Sequence, residues 1–139
     1  MSMEAALVVR LGENAPVAAI VATTSDSAKA ISWEGFQRGD GYPAIALTMI
    51  SPGEDWTHEG PDGLDRPRVR FDLRARDAVT LQTLVDAVKT LMRGGQDVSG
   101  WRFHPAMLEA NRTIDLGEQD GGAMLFQRQL EFLFFHEEI

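Results

Sequence analysis

Cysteine is missing from the whole chain. Disulfides, thiolate metal sites and cysteine nucleophiles are therefore excluded, and the redox compartment leaves no trace in the sequence. Missing too is any apolar run near the ~18 residues that crossing a bilayer requires, so no membrane partner is expected. The opening residues, Met1-Ser2-Met3-Glu4-Ala5-Ala6, have no basic stretch ahead of a hydrophobic run, and no signal peptide is expected. Positive charge is scarce: 13 Lys and Arg stand against 21 Asp and Glu, a formal net charge of −8. Proteins that wrap a nucleic-acid backbone show a basic footprint, so direct nucleic-acid recognition is not expected. What is present is ordinary for a globular protein, with 44% hydrophobic and 24% charged residues in a chain of 139. That length buries one core without staples.

The hydrophobic pattern divides the chain into elements. Leu7 and Leu11 share a helical face with Val8 beside them, and Ser2 stands where an N-cap belongs, which predicts a helix over residues 3–11. Asn14-Ala15-Pro16 interrupts it, and Pro16 suits the first turn of a short second helix reaching about residue 21. Residues 22–42 are weakly patterned: a loop at 23–27, a short strand at Ile31 and Trp33, and a turn at Gly39-Asp40-Gly41. Residues 43–50 place Ile45, Leu47 and Met49 on one side and Ala44, Ala46, Thr48 and Ile50 on the other, a strand covered on both sides or nearly so.

A long polar excursion over residues 51–65 separates that strand from the next. Residues 67–76 alternate cleanly, with Val69, Phe71, Leu73 and Ala75 facing one way and Arg68, Arg70, Asp72, Arg74 and Arg76 the other. The two strands read as a hairpin whose second member turns one face to water or to a partner. Asp77 then caps the strongest helix, in which Leu81, Leu84, Val85, Val88, Leu91 and Met92 recur at three- and four-residue steps until Gly94-Gly95 stops it. Trp101 and Phe103 start another strand. Pro105 spoils a simple strand over 104–113, where residues 107–111 have room to bulge. Residues 115–122 read as a turn, and 124–135 as a last strand with Phe126, Leu130, Phe132 and Phe134 in phase. Helix, helix, strand, strand, helix, strand, strand is buried economically as an α+β fold. The expectation is one domain over residues 1–139, with a single antiparallel sheet of about four strands and helices packed on one face.

Catalytic signatures are absent. His58, His104 and His136 have no helical ligand spacing, and the segments holding His58 and His136 read as mobile, so solvated histidines are expected and no metal or other cofactor. Ser99 lacks a Gly-x-Ser-x-Gly elbow. Gly94-Gly95 and Gly121-Gly122 are turns too short to cradle a phosphate. Charge placement says more. Arg66, Arg68, Arg70, Arg74 and Arg76 fall within eleven positions, and the excursion before them holds Glu54, Asp55, Glu59, Asp62 and Asp65. An acidic excursion beside an arginine-faced strand suits a head-to-tail ring in which one subunit's loop lies on its neighbour's sheet; it is equally a solvated strand face with ordinary loop charges. Trp56, a large ring amid polar residues, is either an interface anchor or a cover for its own hairpin. The candidate interaction residues are thus Glu54, Asp55, Trp56, His58, Glu59, Asp62, Arg68, Arg70, Arg74 and Arg76.

Several stretches together resemble a known family. Met3-Glu4-Ala5-Ala6-Leu7 opens a helix and Pro43 leads a strand; Gly60-Pro61-Asp62-Gly63-Leu64 precedes Arg68-Val69-Arg70-Phe71-Asp72-Leu73; a helix then carries Leu84-Val85-Asp86-Ala87-Val88, and the terminal strand carries Phe132 to His136. In this order they resemble the tail terminator, or tail completion, proteins of siphophages and gene transfer agents. Ala75-Arg76 departs from the aromatic strand end common there, and residues 22–30 have no clear counterpart. The resemblance implies a structural virion protein and not an enzyme. Its chain would close a ring of about six copies on the end of the tail tube, stop tube growth, and present the surface that joins the head. The implied partners are further copies of itself, the tail tube protein and a head-completion or stopper protein. The implied location is the head–tail junction of a virion made in the bacterial cytoplasm. A stopper or adaptor on the portal side shares this ring logic. A small metal-dependent hydrolase or ligand-binding domain, or a cytosolic adaptor, are the readings from other classes.

Overall fold

The computed structural model describes residues 2–23, 29–36, 41–51, 56–57, 60–61, 66–118 and 124–139. Its helices start where polar side chains stand in for missing backbone partners. Ser2 Oγ accepts from Ala5 N at 3.1 Å and opens α1 (Met3–Glu13). Asn14 ends that helix and begins α2 (Ala15–Ile20), its Oδ1 accepting from Val17 N at 3.2 Å, with Pro16 in the first turn. Asp77 caps α3 (Ala78–Arg93), accepting from the backbone of Val79 and Thr80 and from the Thr80 hydroxyl, and Gly94 closes it.

The strands, in chain order, are β1 (Ile31–Trp33), β2 (Ala44–Ser51), β3 (Trp56–Thr57), β4 (Gly60–Pro61), β5 (Arg68–Ala75), β6 (Gln96–Val98), β7 (Trp101–Phe103), β8 (Met107–Glu118), β9 (Met124–Leu133) and β10 (His136–Glu138). Five of them form the main sheet in the order β1-β2-β5-β9-β8. β1 runs parallel to β2, and the other neighbours are antiparallel. The expected hairpin across the polar excursion is there as the β2–β5 pair, with Leu47 opposite Phe71. Ala44 to Leu47 are buried, so both faces of β2 are covered along its first half.

The core lies between the helices and one face of this sheet. Val69, Phe71, Leu73 and Ala75 have no exposed surface, and neither do Leu7, Leu11, Leu84, Val85 and Val88 from the helices opposite. Phe71 meets Phe132 of the adjacent strand edge-on, with ring centroids 5.1 Å apart. Arg10 is also buried here, at 1% exposure. Its Nη2 donates to the carbonyls of Leu91 (2.9 Å) and Gly94 (2.6 Å), and its guanidinium lies 5.3 Å over Phe103. A cation at the C-terminus of α3 thus gives the Gly94 carbonyl a donor and adds a second to the Leu91 carbonyl, which also accepts from Gly94 N at 3.3 Å. Burial lowers its pKa to about 10, which leaves it charged at neutral pH.

Several expectations need correction. Among the described residues the sheet has five strands and not about four, and it is not alone: β10-β7-β6 form a second sheet and β3-β4 a two-stranded ribbon. The fifth main strand is β8, whose twelve residues run through Pro105's aftermath and on to Glu118, where a turn was expected. It keeps its pairing with β9 by a register shift between Leu108 and Ala110, the bulge that residues 107–111 had room for. The second sheet arises because the last strand is two. β9 stops at Leu133, and β10 begins at His136, opposite Phe103. β6 and β7 join through Ser99 and Gly100, both at positive φ (52° and 85°), a turn that glycine makes easy. His136, expected to be solvated on a mobile tail, is buried at 4% exposure, with its ring 5.3 Å from that of Trp101.

Candidate functional site

Alternation along β5 puts its polar residues on the sheet face away from the core. The partners in register belong to the same face: Arg70 opposite Glu131, Asp72 opposite Gln129 and Ala46, Arg74 opposite Gln127 and Ala44. Small alanines on β2 leave room beside the long side chains of β5. Asp72, in the central strand, is 7% exposed, and Gln127 and Glu131 are 5% and 9% exposed. Buried polar groups of this kind need partners. Asp72 accepts from Arg70 Nε at 3.1 Å and from Gln127 Nε2 at 3.0 Å. Gln127 Oε1 in turn accepts from Arg74 Nε at 2.7 Å. Further along, Glu131 accepts from Arg112 of β8 at 2.8 Å, and Arg68 stands 3.8 Å from Glu109.

The segment after β1 folds over one edge of this network. Glu34 and Gly35 take positive φ (63° and 111°), Glu34 N donates to Leu47 O at 2.8 Å, and Ser32 Oγ donates to Gly35 O at 2.8 Å. That turn delivers Phe36, whose ring lies 4.2 Å under the Arg74 guanidinium. The result is an open cleft of about 550 Å³ lined by Arg70, Arg74, Thr48, Gln129, Glu34 and Phe36. Among the described residues, the terminal Nη atoms of Arg70 and Arg74 make no hydrogen bond; each guanidinium is held through its Nε.

The structure therefore brings three of the expected interaction residues, Arg68, Arg70 and Arg74, onto one sheet face. Arg76 is not with them on the strand: it lies just past the end of β5 and stacks 5.2 Å over Tyr42. Trp56 is in β3, and its side chain is outside the described set; Glu54, Asp55, His58, Glu59 and Asp62 lie outside the described residues. Sequence reasoning placed Asp72 on the arginine face and missed its place as the hub. It also missed Gln127, Phe36 and Arg112. The signal for Gln127 was present in the phase of β9, where Gln127, Gln129 and Glu131 alternate with Phe126, Leu130 and Phe132; Phe36 had none.

A second polar cluster sits on the small sheet. Arg102 bonds Asp97 (3.0 Å) and approaches Glu137 (3.7 Å), which also lies 3.3 Å from His104 Nε2. The hydrogen bond and charge of Asp97, then Glu137, hold the Arg102 pKa above its ordinary value. These are exposed pairs of small energetic weight. Among the described residues, no three His, Asp or Glu side chains gather to hold a metal ion, and no helix is long and apolar enough to cross a membrane.

Fold and face together define an α+β protein whose sheet is packed by helices on one side and carries an ordered charged network on the other. No family profile and no curated protein matches the sequence. Among solved structures, the chain is similar to one in the virion of a native gene transfer agent particle, with a TM-score of 0.65 and 15% identity, covering 98% of this chain and 95% of that one. At that identity the likeness is one of fold.

Proposed function

We propose that this chain is a structural component of a phage-like virion, and within it a tail terminator. About six copies close a ring on the finished end of the tail tube, block further growth of the tube, and offer the opposite surface to a head-completion or stopper protein. The work is done by surfaces and not by an active site, and its place is the head–tail junction of the particle. The observation that carries this reading is the end-to-end likeness of fold to a gene transfer agent virion chain, which spans nearly all of both chains. The order of the family-like stretches in the sequence supports it independently, from Met3-Glu4-Ala5-Ala6-Leu7 through Phe132 to His136.

The test is to add the purified protein to growing tubes of the cognate tail tube protein and to measure tube lengths and end views by negative-stain microscopy. A terminator shortens the length distribution and leaves a ring of density on tube ends. Tubes that elongate unchanged sink the terminator reading. If the chain instead binds the portal-side assembly and ignores tubes, it is a stopper or adaptor.

A further inference from the structure

Two arginines on the open sheet face are oriented by their own chain and left unfinished. Arg74 is fixed on its edge by Gln127 and on its face by Phe36, and Arg70 is fixed on its edge by Asp72. Both line the same cleft, and their terminal Nη atoms make no hydrogen bond among the described residues. Asp72, ion-paired with Arg70 at 3.1 Å and bonded to Gln127 Nε2, offsets one of the two guanidinium charges and leaves the other unbalanced. Guanidinium forks held this way match carboxylates with little further ordering. Thr48 and Gln129 add neutral hydrogen-bonding side chains to the lining; Glu34, exposed at the rim, is the acidic group an incoming carboxylate has to avoid.

The chain itself holds a segment of matching chemistry. Residues 51–65 contain Glu54, Asp55, Glu59, Asp62 and Asp65 and no Lys or Arg. We infer that the Arg70–Arg74 cleft receives the acidic 54–65 segment of a second copy of this chain. The inference rests on the ring-forming reading above and specifies how neighbours join. Such a contact is heterologous, one surface meeting a different one, and this is the kind that closes into rings. Opposite charges meeting in a partly enclosed cleft set register as well as attraction.

Mixing two oppositely altered chains tests this directly. One variant reverses the cleft (R70E/R74E), and the other reverses the segment (E54R/D55R/E59R). Self-association is followed by sedimentation and mass photometry over a concentration series at low salt. Each variant alone faces like charge with like charge and is expected to associate about a hundredfold more weakly than wild type. An equimolar mixture is expected to regain wild-type mass, since every contact in an alternating ring again pairs opposite charges. Pairing of cleft and segment within one chain predicts no regain on mixing, and that result overturns the inference. So does wild-type association by either variant alone, or a wild-type chain that stays monomeric at every soluble concentration. Because R70E places a carboxylate beside Asp72, R70Q/R74Q is run in parallel: folded by circular dichroism, it must still associate at least about tenfold more weakly. Tube capping is scored separately, so a capping protein whose charge variants assemble normally loses this contact and keeps the proposed function.

Discussion

The two faces of the five-stranded sheet are made by the same strands and do different work. On β5, Val69, Phe71, Leu73 and Ala75 are sealed against the helices, while their immediate neighbours Arg70, Asp72 and Arg74 form a bonded network on the other side. The covered face gains from removal of apolar area from water, an effect indifferent to orientation. The open face gains little net stability from its hydrogen bonds and ion pairs. Its bonds instead hold the guanidinium groups in place. Half-burial of charge is therefore a sign of orientation on this face, where half-burial of a leucine would be a sign of packing.

The division can be broken from either side. The largest loss is expected from Phe71→Ala, which opens a cavity against Phe132 and should cost ~3–5 kcal/mol in denaturant unfolding. Arg10→Ala comes next, at ~3 kcal/mol, because the carbonyls of Leu91 and Gly94 lose their buried donor; Arg10→Lys, which keeps a charge there, should recover part of it. Asp72→Ala removes the acceptor shared by Arg70 and Gln127 and should cost ~1–3 kcal/mol, with self-association falling as well. Arg74→Gln sharpens the contrast: stability should stay within ~1 kcal/mol of wild type while self-association falls. If Arg74→Gln unfolds the protein, the open face belongs to the stability of the fold after all.

The smallest effect is expected at the exposed cap of α3. Hydrogen bonds from the Thr80 side chain and backbone, and then from Val79, lower the Asp77 pKa below its ordinary 3.8. A carboxyl with a depressed folded pKa contributes stability above its unfolded pKa and loses it as the pH falls through the folded value. Asp77→Asn keeps a capping oxygen without the charge, so it should melt slightly below wild type at neutral pH. That gap should close as the pH drops below 3.8.

Much of this architecture was legible from residue order. Period-two alternation over Arg68 to Ala75 and three-four spacing over Leu81 to Met92 marked β5 and α3, because each element has one side facing a core and repeats its apolar residues at its own geometric period. Ser2 and Asp77 marked helix starts for an equally local reason: a cap bonds backbone two or three residues away. The illegible parts depended on distant partners. β8 carries exposed Met107 and Leu108 and little alternation, and pairing with β9 makes it a strand. β10 exists because Phe103 and its neighbours lie within reach of the chain end.

The same line runs through the candidate site. The sequence by itself determined that arginines would share one face of a strand, since side-chain direction alternates with every residue whatever surrounds the strand. It also determined that a run of carboxylates without a balancing cation precedes them. Only the tertiary structure decided that Asp72 would be buried and shared, that Gln127 would stand 53 positions away within bonding distance of Arg74, and that Phe36 would lie beneath it. These choices follow from strand order and register, which depend on how the whole core packs, and no local pattern in β5 encodes which neighbours arrive on either side.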